Sequence, residues 1–561
     1  MVPELSESEV QATPARRPRP TEDEETPDMN NVAMKIERAK EIYREYNVGF
    51  DNINEEKPRK YEVFGWYFYG LCSYFVLTVL IPIMFPLIIG QTVPQPQEPT
   101  RGWFRSYRDL QCRKRETLLY ETLIQKAIKI NKINLSPLEW TSVSWILGLL
   151  LAAPVLVITS VHLDHGRNQQ ILAGTITATG ALFCLPAGFF NTRWIFPPYI
   201  AAIVVASTIG TAFHTRHLGL MIRAFVGSII RSKKFAERKA IGGLISLYAT
   251  AAGCLGSATI SAFVYYMLRK SDSFTSLWVV SIFSGIIWLT GTSQIFIATR
   301  NCSIITSIVP ENYHVLSIFK YPHAGGTLAG VLLSSISTMC IFTAGLLYAI
   351  GDLCIKEMHV LYLWLLYFTF PLISLPLSQQ LQQIIRADAV KMQLLGFLLT
   401  LFTSGFGFYF RNHNWQIGHL FLFSAIHSTA TGILHAFGRV LLLDCSPAGK
   451  EGAFSVWFSW MKGVGTCAGF AIASALPRNV DRAFGIAFWS AIAGTVVLIF
   501  GNIDNFRGAK SAGHIIDDHR YSEEGSPVHG LESGGGVEVK RYSSTDHNQD
   551  SDLPSEGKIE V

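Results

Sequence analysis

Twelve apolar stretches, set six and six around a polar break at residues 300–322, dominate this sequence. Each is about as long as the roughly 20 mostly apolar residues that a bilayer-spanning helix needs. Lipid offers no hydrogen bonds, so a spanning segment must satisfy its own backbone, and a helix does so within one segment. The pattern predicts an all-α integral membrane protein with about 12 transmembrane helices in two six-helix halves. The predicted spans are 62–90, 138–160, 170–191, 195–220, 241–268 and 274–298, then 323–350, 358–377, 390–410, 416–441, 453–476 and 483–502. Two helical halves around a midplane site are the layout of many secondary transporters.

The flanking segments are polar. Residues 1–60 form an N-terminal tail in which 34–50 is either a short amphipathic helix or a solvated segment. Residues 504–561 are rich in Ser, Gly, Asp and Glu, with too few apolar side chains for a core, and are expected to be disordered. The domain reading is thus a tail at 1–60, a half at 61–299 containing a long loop at 91–137, a linker at 300–322, a half at 323–503, and a tail at 504–561. The N-terminal tail lacks the short basic and apolar pattern of a cleavable signal, so the first span is expected to act as the signal.

Only 16% of the residues are charged, against about 25% in soluble domains. The net charge of +5 lies in loops between apolar segments. That favours contact with the lipid bilayer and argues against nucleic acid as a partner. Of nine cysteines, seven lie in or beside apolar segments, where cysteine is a small packing residue. Cys112 and Cys354 lie in loops on one expected side, where a disulfide between them is one reading. No Cys/His cluster suggests a metal and none of the spacings a cofactor. No nucleophile-and-base arrangement suggests an enzyme.

Twelve spans place both tails on one side. The loop with Arg231, Lys233, Lys234, Arg238 and Lys239 is the most basic short loop and lies on that side, which the positive-inside rule makes cytosolic. The 91–137 loop opposes this with nine Lys/Arg on the other side, but long loops count less. Within it, 118–133 reads as a helix lying on the membrane or capping the bundle mouth.

Acidic residues avoid the spans. None lies at 166–236, 312–351, 389–443 or 452–480. Carboxylates such as Glu62, Glu139, Asp164, Asp352, Asp388 and Asp444 sit at span ends or in loops. A midplane carboxylate is a common proton carrier, so its absence points toward facilitated exit or histidine-based coupling. Lys462 stands about ten residues inside the eleventh span. An ammonium there must face a cavity or a partner. It either attracts a substrate carboxylate or reaches a wet vestibule. His435 and Arg439 are four residues apart and share a helix face. His427 and His419 wind away around the same helix, and Arg439 could instead meet lipid phosphates or Asp444. The first span is dense in aromatics. Trp66 belongs to an interfacial belt, while Tyr69 and Tyr74 lie deeper and need partners or a wet cavity. Pro82 and Pro86 are expected to break that helix. Trp66, Tyr69, Tyr74, His435, Arg439 and Lys462 form the candidate solute-binding set.

Gly65-Trp66-Tyr67-Phe68-Tyr69-Gly70-Leu71-Cys72, then Phe75-Val76 and Ile81-Pro82, resembles the opening helix of the autophagy-related vacuolar effluxer family, a branch of the major facilitator superfamily. The long first loop is similar to that family's, as is Gly449 to Phe454 followed by Lys462-Gly463. Asp164-His165-Gly166-Arg167 looks like an eroded remnant of the superfamily's signature between helices two and three. Fungal members tend to carry an acid about where Ser73 stands here, so a role for that acid does not transfer. The resemblance implies efflux of small-molecule solutes, amino acids foremost, from vacuole to cytosol. It places the chain in the vacuole membrane ahead of the plasma membrane. A non-transporting sensor or scaffold, acting through regulators that bind its tails, is the alternative.

Overall fold

The computed structural model describes residues 57–516, apart from 167–168, 187–191, 228–229, 271–273, 298–313, 411–414, 448 and 502. The predicted amphipathic stretch at 34–50 and residues 300–313 of the 300–322 linker lie outside the described residues. Helices dominate. They are α1 (Lys60–Ser73), α2 (Phe85–Gln91), α3 (Lys114–Ile124), α4 (Pro137–His165), α5 (Gln169–Phe183), α6 (Phe196–Val226), α7 (Phe235–Lys270) and α8 (Phe274–Thr290) before the linker. After it come α9 (Pro322–Gly351), α10 (Glu357–Thr369), α11 (Pro371–Ile385), α12 (Ala389–Tyr409), α13 (Ile417–Asp444), α14 (Glu451–Ala475), α15 (Val480–Phe500) and α16 (Asn505–Ser511). Among the described residues, nine helical stretches are long and apolar enough to cross a membrane. The chain is a multi-pass membrane protein. Large apolar side chains such as Leu150, Ile158, Ile373 and Phe500 stand exposed on the outer helix faces. In water such a surface would demand a partner; in a bilayer it meets lipid.

The first helix departs from its expected form. Pro82 and Pro86 do not break the chain's helical course. Between α1 and α2, Val76–Met84 widens into a π-helix that holds Pro82 inside it. A wider turn tolerates the missing N–H and the ring that a regular α-helix would reject. At α4, Ser136 and Glu139 satisfy each other's backbone N–H groups in a capping box, and Pro137 occupies the first turn. Such a start fixes where that helix begins.

Two loops are more ordered than the sequence suggested. The helix expected over 118–133 stops at Ile124, and an antiparallel hairpin follows, β1 (Ile128–Ile130) with β2 (Ile133–Leu135). The β-branched residues Ile128, Ile130 and Ile133 favour strand, and Asn131 turns the chain with φ of 53°. The C-terminal tail, expected to be disordered from 504, stays folded to residue 516. Asp504 accepts from the Phe506 N–H to start α16. Ile230–Arg231 (β3) then pairs in parallel with Ile515–Ile516 (β4). Phe235, Ala509 and Ile515 bury a small apolar cluster beneath them.

The helices before the linker meet those after it along two seams. α4 and α6 pack on α14, and α7 packs on α10, α11 and α13. Small residues let the helices close. A Cβ on Gly256 would stand 2.0 Å from the Leu71 carbonyl oxygen, so α1 and α7 touch backbone to side-chain-free backbone.

At the end carrying 230–239, here the inner end, ion pairs join the two sets. At the opposite, outer end, Cys112 and Cys354 form a disulfide with Cα atoms 5.4 Å apart. It fastens the long loop to the end of α9, so both belong on one side of the membrane, as the topology required. A cysteine substituted for Lys233, labelled with a membrane-impermeant maleimide, is expected to react from the cytosolic face only. Reaction solely from the other face would invert the assigned orientation.

Candidate functional site

Lys462 stands near the middle of α14 and points into a small internal cavity between the two sets of helices. The cavity measures about 70 Å³, which is room for a few waters. Its wall combines Tyr74 and Thr78 from the first helix, Cys254 from α7, Ser335 from α9, and Thr466 from α14 itself. The Lys462 ammonium lies 3.4 Å from His435 Nε2 on α13 and 5.1 Å over the Tyr74 ring. The His435 ring also stacks on Phe458, at 6.0 Å between centroids. Among the described residues no carboxylate pairs with Lys462.

This geometry has a chemical direction. If Lys462 donates to His435 Nε2, that nitrogen holds the lone pair, and the proton of the neutral imidazole sits on Nδ1. His435 Nδ1 is buried and makes no hydrogen bond among the described residues. An ammonium without a counter-ion and an unpaired N–H thus share one cavity with several hydroxyls. The ammonium lacks a counter-charge and the N–H lacks an acceptor, and a carboxylate supplies both.

Three of the six candidate residues, Tyr74, His435 and Lys462, therefore come together. The other three form an adjoining layer. The Trp66 indole N–H donates to the His214 carbonyl at 2.9 Å, and the two rings stack at 4.3 Å. Tyr69 Oη lies 3.2 Å from Thr177 Oγ1. It lines a separate small cavity that also holds Gln169, Arg216 and His217. Arg439 reaches neither lipid phosphate nor Asp444. Its guanidinium donates to Ser246 Oγ at 2.8 Å and to the Ser246 carbonyl at 3.1 Å, 5.1 Å over Trp66. Arg439 thereby ties α13 to α7 across a seam. His427 and His435 do not meet. His427 is eight residues from His435, about 12 Å along the helix, and its Nε2 is engaged with the Thr338 carbonyl at 3.0 Å.

Sequence reasoning overlooked the layer that closes the inner end. Asp164, at the end of α4, accepts from the Gly452 and Ala453 N–H groups at 2.6 and 3.0 Å. A carboxylate thus caps the positive end of α14. Arg223 on α6 pairs with Glu451 at 2.5 Å, and Arg238 on α7 pairs with Asp444 at 2.9 Å. Lys239 joins Asp388. Each link runs from a helix before the linker to one after it. The available signal was the confinement of acids to span ends, which marks a ring of charge without naming its partners. A search against family models finds no match to this chain, and a search of curated proteins finds none either.

Proposed function

We propose that this protein is a secondary carrier of small organic solutes, working by alternating access. In this reading all twelve predicted spans cross the membrane, in two six-helix halves of the major facilitator type. The observation that carries it is Lys462, an ammonium without a carboxylate partner in a cavity where the halves meet. Such a charge costs about 3 kcal/mol or more inside a membrane, which a cargo carboxylate offsets when it binds. The ion-paired inner end and the disulfide-fastened outer loop frame that cavity. Rocking the halves opens the inner end by parting Arg223 from Glu451, Arg238 from Asp444, and Asp164 from the start of α14.

Amino acids are the favoured cargo, and movement from vacuole to cytosol the favoured direction. Both rest on the likeness of residues 65–72 and 449–463 to the vacuolar effluxer family. Coupling to protons is expected to be weak, because among the described residues no carboxylate lines the cavity. Collapsing an imposed proton gradient across proteoliposomes is expected to change efflux less than twofold. Strict proton dependence would move the coupling to His435.

The sensor or scaffold reading gains support from one feature, the folded root of the C-terminal tail. His514 reaches the Ser446 carbonyl at 2.7 Å, so the tail contacts the loop between α13 and α14. Flux that survives deletion of residues 517–561 counts against a purely signalling role.

A further inference from the structure

After α15 the chain folds back across the inner end, from Asp504 to Ile516. Local signals set its path. Asp504 caps the start of α16. Gly513 takes φ of 81°, in the left-handed region that glycine enters freely, and turns the chain where the helix ends. The His514 N–H then donates to the Ala509 carbonyl at 2.9 Å, and Ile515–Ile516 runs alongside Ile230–Arg231.

This segment holds both sets of helices. On the side after the linker, α16 packs on α13 and α9. Gly508 lies so close to the end of α13 that a Cβ there would stand 2.7 Å from Cys445 Sγ. His514 is buried, and its Nε2–H donates to the Ser446 carbonyl at 2.7 Å. On the side before the linker, the Phe506 ring meets Phe235 edge-on, with 5.4 Å between centroids. The Ile230 N–H donates to the His514 carbonyl at 2.8 Å, and Ile230, Phe235, Ala509 and Ile515 form one buried cluster. His514 thus bonds to both sides, one through its ring and one through its carbonyl.

These contacts bracket the Arg238–Asp444 ion pair. Phe235 lies three residues before Arg238 on α7, and Cys445 and Ser446 directly follow Asp444. Parting Arg238 from Asp444 cannot leave both holds of the segment in place. Either β3 comes off β4, or α16 comes off α13. The attachment is slight enough to yield, being a two-residue parallel pair, one ring contact and one small cluster. Parallel pairing is the weaker kind, and segments with few buried apolar contacts open at low free-energy cost.

We propose that residues 504–516 are an autoinhibitory strap. Docked, the strap ties both sets of helices together beside Arg238 and Asp444 and holds the inner end closed. Its release precedes opening there. That opening is the movement of the carrier reading, on which the strap's purpose rests.

Double electron–electron resonance on the protein in lipid nanodiscs tests this, with spin labels at His162→Cys on α4 and Arg386→Cys at the end of α11. Both positions are exposed. Cys302, outside the described residues, is replaced by Ser, and the six free cysteines among those described are buried. Arg223→Met/Glu451→Leu removes an inner-end ion pair, leaves the strap, and provides the reference for the longer, open distance. Ile515→Asp, which sets a carboxylate in the apolar cluster, and deletion of 504–561 are each expected to raise the open population at least threefold over wild type. Deletion of 517–561 keeps the strap and is expected to leave the distribution unchanged. Without the added labels, N-ethylmaleimide is expected to alkylate Cys445 at least fivefold faster in Ile515→Asp and in the 504–561 deletion, because Gly508 no longer covers it. Faster alkylation with an unchanged distance distribution, while the reference variant opens, overturns the strap and leaves the carrier reading standing. Ile515→Asp gives that result by itself if the deletion misfolds. Unchanged alkylation in both overturns the docking. No open distance in any variant, the reference included, overturns the rocking of the carrier reading and the strap with it.

Discussion

Lys462→Ala is expected to reduce solute flux on the order of 100-fold while leaving the protein folded. Removing one member of a desolvated, charge-assisted contact costs about 2–5 kcal/mol, and about 2.8 kcal/mol is a factor of 100. The effect on folding should have the opposite sign. Lys462 has no carboxylate partner among the described residues, so deleting its charge removes a burial cost and breaks no ion pair. The melting temperature is expected to stay level or rise. Lys462→Arg keeps the charge but must fit a planar fork into about 70 Å³, so partial flux is expected. Wild-type flux in Lys462→Ala would falsify the role assigned to this residue.

Arg238→Met is expected to cost about 3–5 kcal/mol of stability, because it strands the Asp444 carboxylate in a buried site. Both side chains are nearly inaccessible, at 3% and 1% exposed, so water offers little compensation. The double variant Arg238→Met/Asp444→Leu should recover most of that loss, since apolar groups of similar volume can replace a buried pair at small net cost. Melting temperatures of the two single variants and the double variant, in one detergent, provide the cycle. Additive losses would mean that the two residues do not act as a pair. A single variant with wild-type stability would remove this contact from the layer that closes the inner end.

Much of the helix layout was readable because its cause is local. Each predicted span is helical over most of its described length, since twenty apolar residues in a row leave the backbone no other way to be satisfied. Among the described residues nine helical stretches pass as spans on length and apolarity. α5 and α8, with 15 and 17 residues, are short, and α14 mixes Lys462 with glycines and serines, so these three do not declare themselves by length and composition. Lys462, His435 and Tyr74 were legible as a group because a charge inside a span is costly enough to imply its surroundings.

Long-range pairings were not legible. Arg439 and Ser246 are 193 residues apart, and nothing near Arg439 names a serine as its partner. Asp164 meets backbone N–H groups 288 and 289 residues away, and those groups have no side-chain identity to read. Pro82 was read as a break because proline denies an α-helical hydrogen bond, but the chain absorbs it by widening to a π-helix. The tail was read from average composition, which conceals that Phe506, Ala509 and Ile515 have a docking surface beside Phe235.

The most direct measurement is efflux from proteoliposomes that contain the purified full-length protein and a mixture of labelled amino acids, organic acids and sugars. Selective loss of amino acids, abolished in Lys462→Ala, is the expected result. Retention of every solute by well-folded protein would contradict transport and leave the tails, with whatever binds them, as the seat of function.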